Sequence, residues 1–389
     1  MKKLFLFVLA VFCLSQSVFS QDDRRPITTG VPILLIAADA RASGMGDMGV
    51  ATRVDAFSQQ WNAAKYAFSE TKTGVGLSYT PYLRELVNDI NLANLVYFNR
   101  LNERSAFAGS IRYFSLGEVE LRETADQVPR IASPNEFAID LSYSLRLSEQ
   151  FSMAVTGRFI NSQLRIPTGI AEANAASSFG ADISMFYRSE EKFYKDFNGR
   201  WRGGLAISNI GPKIKYDDAG QENFLPTNFK AGAGFDFILD ASNTIGVHLE
   251  FNKLLVPTPP AFQTDDNGNL TPESRQAFLD YTSQNEFEGI FSSWGDAPDG
   301  FSEELSEITW ALGAEYWFED SFAARLGYFN ESEEKGFRQF VTMGLGFKFN
   351  AINIDASYLF STTTVQNPLE GTLRFGLTFN IGDNTYIEY

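Results

Sequence analysis

Segments of about ten residues in which apolar and polar side chains alternate recur along this chain, and a period of two restricts them to β-strands with one apolar face and one polar face. Phe137, Ile139, Leu141, Tyr143 and Leu145 alternate with Ala138, Asp140, Ser142, Ser144 and Arg146. The pattern returns in Phe151-Met153-Val155, Phe179-Ala181-Ile183-Met185-Tyr187, Phe235-Phe237-Leu239 and Ile245-Val247-Leu249-Phe251. It continues through Ile308-Trp310-Leu312, Phe322-Ala324-Leu326, Val341-Met343-Leu345, Ile352-Ile354-Ala356 and Leu373-Phe375-Leu377. About ten residues is the length a tilted strand needs to cross a bilayer. Beyond the first twenty residues there is no run of about eighteen apolar residues, so no transmembrane helix is expected.

A soluble sandwich also alternates, and the connections decide between the two. Leu147 to Gln150, Asp240 to Asn243, Glu319-Asp320 and Asn350-Ala351 are tight. Leu116 to Asn135, Asn161 to Ala176, Gly211 to Pro226 and Asn252 to Glu304 are long. Short links taking turns with long ones are the habit of an outer-membrane barrel. Counting from Gly74, the sequence predicts an all-β, antiparallel transmembrane barrel of about fourteen strands over residues 74–389. Tyr316, Trp317, Phe318, Tyr328, Phe329, Tyr358 and Phe360 sit near strand ends, where interfacial girdles belong. The polar face carries Asp140, Arg146, Arg158, Asp182, Lys230, Asp236, His248, Glu250, Glu315, Arg325, Lys348, Asp355 and Arg374. Charges of both signs are prohibitive against lipid and tolerable in a lumen where they pair, so a structural lattice is expected there.

Residues 1–20 have the form of a signal peptide: Lys2 and Lys3, an apolar run from Leu4 to Leu14, then small and polar residues to Ser20. The net charge of −16 excludes a nucleic-acid binder, and one Cys with one His excludes disulfides and a Cys/His zinc site. No cofactor or metal is expected.

Residues 21–73 precede the first expected strand. They hold Ala40-Arg41-Ala42-Ser43-Gly44-Met45-Gly46, then Val50-Ala51, Asp55 and Trp61-Asn62-Ala63-Ala64, with a short helix expected from about Phe57. No strand precedes the glycines and no Lys-Ser/Thr follows, so a phosphate cradle is a poor reading. A compact plug inside the wall fits the small residues better. This segment resembles the N-terminal signature of the PorV/PorQ family, which is distantly FadL-like: a hydrophobic stretch, Ala-Arg-Ala-x-Gly-Met-Gly, Val-Ala, an Asp and Asn-Pro-Ala. The matching residues are Ile33 to Ile36, Ala40 to Ala42 with Arg41, Gly44 to Gly46, Val50-Ala51, Asp55 and Asn62, while Ala63 replaces the usual Pro. Length and general similarity favour the PorV branch.

What the resemblance implies is a protein without chemistry of its own. Such proteins associate with a giant SprA/Sov-like translocon barrel among outer-membrane lipid, bind the C-terminal signal domain of exported cargo, and pass it to a PorU-like sortase. A place for such contacts is the extracellular loop 252–304. Within it Thr271 and Pro272 read as N-cap and first residue of a helix, and Phe287, Ile290, Phe291 and Trp294 fall on one helical face. That face suits docking of a partner, and it suits equally a lid folded onto the barrel's own mouth. Asp265-Asp266-Asn267-Gly268-Asn269 lacks the spacing of a calcium loop and reads as a turn. Two further readings are a transporter of hydrophobic small molecules, from the FadL likeness, and a lipopolysaccharide deacylase. The second needs a nucleophile and base; there is no Gly-x-Ser-x-Gly, and His248 is expected to be a paired lumen residue. Asp236 and Glu250, with Lys230 near, form the one carboxylate pair worth weighing, and charge neutralisation is its expected role.

Overall fold

The computed structural model describes residues 25–84, 87–122, 126–164, 175–216, 222–263, 269–363 and 369–382. Fourteen long strands form one antiparallel meander. They are β1 Thr73–Pro81, β2 Ile90–Arg100, β3 Ser105–Leu116, β4 Asn135–Arg146 and β5 Phe151–Gln163. Next come β6 Ala176–Arg188, β7 Phe197–Ile210, β8 Asn228–Ile238, β9 Asn243–Leu254 and β10 Ile308–Phe318. The last are β11 Phe322–Asn330, β12 Gln339–Phe349, β13 Ile352–Ser361 and β14 Leu373–Ile381. Each pairs with its neighbours, and β1 closes on β14 from Thr73 opposite Ile381 to Tyr79 opposite Phe375. Closure leaves no open edge, which is what a sheet in hydrocarbon requires. The strand Lys192–Tyr194 is a short addition beside the start of β7.

The alternation sorts as expected: Leu141, Val155, Leu345 and Ile354 face outward, and Asp140, Thr156, Gly344 and Asp355 face in. Two of the expected girdle aromatics do not. Trp317 and Phe329 occupy inward positions, because each lies one residue out of step with its outward neighbours Tyr316 and Tyr328. Inside, the charges pair. Arg158 donates to Asp140 at 2.5 Å and to Asp182 at 3.1 and 2.9 Å. Arg202 takes both oxygens of Asp236. Between β6 and β7 the register slips after Ile207, and the backbone N–H of Asn209 turns inward to Asp182 at 2.7 Å.

Residues 37–68 lie within this ring of strands. Asp39 caps α1 (Ala40–Ser43) by accepting from the Ala42 N–H at 2.8 Å. A second short helix, α2 (Ser58–Trp61), and a 3-10 stretch Ala63–Phe68 follow, agreeing with the helix expected from Phe57. α1 packs on β12, β13 and β14; the 3-10 stretch packs on β3, β4, β5 and β6. Glycines permit the approach: a Cβ on Gly327 would stand 2.1 Å from the nitrogen of Gly46, whose φ of 83° is left-handed. The expected signal peptide, residues 1–20, lies outside the described residues.

Candidate functional site

The motif residues of the N-terminal segment are its fastenings. Arg41 donates to Glu315 at 2.9 and 2.8 Å and to Asp55 at 2.8 Å, so it ties the segment to β10 and to itself. Gly44 lies against Gly344, and the Gly46 N–H donates to Thr342 at 2.9 Å. Asn62 donates to the carbonyls of Val50 and of Met185 in β6, at 2.9 and 2.8 Å, while its own oxygen caps Ala64. Ala63, in place of the family's Pro, is the first residue of the 3-10 stretch, where a proline's missing N–H would cost nothing. The capping by Asn62 is retained without it.

The candidate carboxylate pair is not a pair. Glu250 stands opposite Gly232, and its Oε2 accepts the N–H groups of Gly49 and Val50 at 2.8 and 2.9 Å. Asp236 stands opposite Gly246 and belongs to Arg202. His248, expected to be paired, is buried with neither ring nitrogen hydrogen-bonded among the described residues. A Cβ on Gly234, the residue opposite it in β8, would stand 2.3 Å from its Nδ1, so that neighbouring position carries no side chain. Among the described residues no cluster of His, Cys, Asp and Glu could hold a metal ion.

Two cavities adjoin the segment. One, about 660 Å³, lies at the end of the tight turns and is lined by Arg53, Phe57, Phe68 and Arg188 among others. The other, about 360 Å³, lies at the loop end, between Asp47 and Trp61 below and Glu307, Lys335 and Arg338 above.

The long loop begins after Leu254 and ends before Ile308, three residues later than the expected 252–304 at each end, because β9 runs on to Leu254 and a helix runs on to Ser306 before β10. It holds α3 (Pro272–Ser283), α4 (Glu286–Ser292) and α5 (Phe301–Ser306). Thr271 caps α3 and Pro272 is its first residue, as the sequence predicts. Phe287, Ile290 and Phe291 lie on α4; Trp294 lies beyond its end, because the chain turns at Ser293–Gly295, and it packs instead on Phe229 of β8 at 5.6 Å. Phe287, Phe291 and Trp294 are 66, 76 and 52 % exposed, and Ile290 is half-buried. Phe301 and Leu305 of α5 are exposed as well. The Asp265–Asn269 turn lies outside the described residues except for Asn269.

The loop is tied down on its other side. Lys253 donates to Glu304 at 3.0 Å and Glu307 at 2.6 Å; Lys335 donates to Glu303 at 2.6 Å and Glu307 at 2.9 Å. Arg25 adds Glu303 at 3.1 and 3.2 Å, and also Asp299. Burial pushes the Glu303 carboxyl up, but the Lys335 bond, the Asp299 N–H and Arg25 outweigh it and hold Glu303 below the usual carboxylate range. Across the mouth, the Lys213 N–H donates to Glu286 at 2.9 Å and its ammonium to the Thr282 carbonyl at 3.1 Å. That backbone bond holds Glu286 low as well. Sequence reasoning missed this network, although Glu303 and Glu304 in α5 and Glu307 just after it set three carboxylates within five residues.

A model of the family described as "Type IX secretion system protein PorV" matches residues 19–261. No curated protein matches the chain. Among solved structures, the CymD monoaromatic hydrocarbon channel is similar over 90 % of this chain and 99 % of its own, at 13 % identity and a TM-score of 0.47. The P. putida toluene transporter TodX is similar over 89 and 99 %, at 10 % identity and 0.48. A Pseudomonas aeruginosa FadL homologue is similar over 92 and 99 %, at 12 % identity and 0.43.

Proposed function

Because this chain belongs to the PorV family, and so is an outer-membrane protein of the type IX secretion system, we propose that it binds exported cargo by its C-terminal signal domain and carries it from the giant translocon barrel to a PorU-like sortase. The observation that carries the reading is the face of the 255–307 loop. Large apolar side chains are normally withdrawn from water, yet Phe287, Phe291 and Trp294 are more than half exposed on a loop fixed by buried ion pairs. A rigid aromatic patch loses little freedom on binding, which favours it as a docking surface over a mobile one. Of the two uses open to such a loop, partner docking is therefore preferred to a lid, since a lid would turn that face inward. Residues 37–68 act as a plug in this reading, and the chain supplies no catalytic group.

A transporter of hydrophobic small molecules would need a continuous apolar path. The two lumen cavities have charged linings and lie on opposite sides of residues 37–68, which speaks against it. A deacylase would need a working base, and the isolation of His248 speaks against that.

The test is an affinity pull-down of tagged protein from gently solubilised outer membranes, with mass spectrometry, comparing wild type with F287S/F291S. We expect wild type to retain a giant barrel, a sortase or proteins sharing a C-terminal signal domain, and the variant to lose at least one class about tenfold, as removal of two aromatic anchors does. Recovery of the barrel alone, carrying a hydrophobic small molecule, would replace the shuttle with the transporter.

A further inference from the structure

The larger lumen cavity is a second binding site, and we propose that it takes a phosphate-bearing anion, either the headgroup of a lipid of the periplasmic leaflet or a soluble phosphoryl compound. It lies at the end of the tight turns, bounded by Asp320 and Asn350-Ala351 on one side and Arg188 on the other, and short turns of such barrels are periplasmic. Seven Arg and Lys side chains line it against four carboxylates, in a chain whose net charge is −16. Several of these cations have carboxylate partners, notably Arg325 and Arg41 on Glu315 and Arg202 on Asp236, but Glu315 and Asp236 do not line the cavity, whereas the cations do.

Spare donors carry the argument further than charge. Arg325 spends Nε on Glu315 and Nη1 on Asp355, both at 2.7 Å, and its buried Nη2 has no acceptor among the described residues. The buried Nε of Arg200 and the indole N–H of Trp317 are left in the same condition. Against these three donors the lining holds one unpaired buried acceptor, Asn353 Oδ1. Arg188 has no carboxylate partner among the described residues; its guanidinium lies 4.8 Å above the ring of Phe68. Buried donors without acceptors are costly, and an excess of guanidinium side chains in the walls of one space selects an anion. Phosphate is preferred to carboxylate because its three free oxygens can meet guanidinium forks from more than one wall. Phe57, Phe98 and Phe186 in the same lining give the apolar part of a lipid a surface to lie on.

The site is independent of the cargo role, since it lies at the tight-turn end of the barrel and none of its lining residues belongs to the 255–307 loop, and the two readings fail separately. The test uses the full chain in a neutral detergent, titrated with inorganic pyrophosphate and with dihexanoyl phosphatidylglycerol by calorimetry, for wild type, R188Q/R200Q and W317F. Heat-modifiable migration on gels verifies that each variant is folded. Wild type should bind at least one probe, R188Q/R200Q should weaken it about tenfold or more, and W317F, which removes one donor and no charge, several-fold. Binding of the lipid alone or of both probes assigns a headgroup; pyrophosphate alone assigns a soluble compound. Binding of neither, or binding undiminished in W317F and in R188Q/R200Q if that variant folds, overturns the site.

Discussion

Glu315 accepts from three guanidinium nitrogens, two of Arg41 and one of Arg325, where solvent cannot replace them. Removing one member of such a buried set costs more than the set contributes, because the partners stay charged and buried. Glu315→Gln should therefore destabilise the barrel by about 3–5 kcal/mol, read as a shift of the urea midpoint of the heat-modifiable form. Adding Arg41→Gln should cost less than the two single changes summed, as coupled residues do. A loss within about 1 kcal/mol for E315Q would show that the pairing is incidental. The sequence places Glu315, Arg325 and Asp355 inward by alternation alone. It does not disclose that Arg41, 274 residues away, completes the set, because spacing reports only local geometry. His248 shows the same limit: its face was legible, and its lack of a partner was not.

The 255–307 loop is held as an element by carboxylates of α5, so its order should depend on pH. Glu303 titrates below the usual carboxylate range in the folded protein, which means the folded state favours its ionised form. Its contribution is thus fully present above the unfolded value, about 4.3, and is lost as pH falls through the lower folded value. Amide exchange across 285–307 should stay slow from pH 8 to 5 after correction for intrinsic rates, and rise below about pH 4. Lys335→Met should raise it already at pH 7 by removing the cation shared by Glu303 and Glu307. Protection unchanged at low pH, or unaffected by K335M, would mean that packing and not the ion network fixes the loop. α3 was legible from Thr271 and Pro272, since capping is local chemistry. The stop of α4 at Ser292 was hidden, because the first Gly, Gly295, stands three residues later and Trp294 continues the apolar spacing. α5 has too few residues for a period to show.

Over the whole molecule, the wall and the N-terminal segment depend on one another. The segment's backbone amides at Gly49 and Val50 bind Oε2 of Glu250, and its Arg41 neutralises Glu315, so an emptied lumen would leave both carboxylates without these partners. Alternation and the rhythm of short and long links made closure and strand number legible, because both follow from the need to hide strand edges and polar faces from lipid. That the small residues of 37–68 meet inward glycines of β11 and β12 was legible only as room to spare. The strength of these fastenings predicts a closed pore. Reconstituted in planar bilayers at neutral pH, the wild-type chain should show no steady conductance, whereas E250Q/E315Q, which loosens the segment on β9 and β10 together, should show intermittent openings. Porin-like steps in the wild type would mean that the segment leaves the lumen readily, and that its ion pairs are too weak to set the resting state. Silence in a folded E250Q/E315Q variant would assign the closure to the glycine contacts at Gly327 and Gly344, which those substitutions leave untouched.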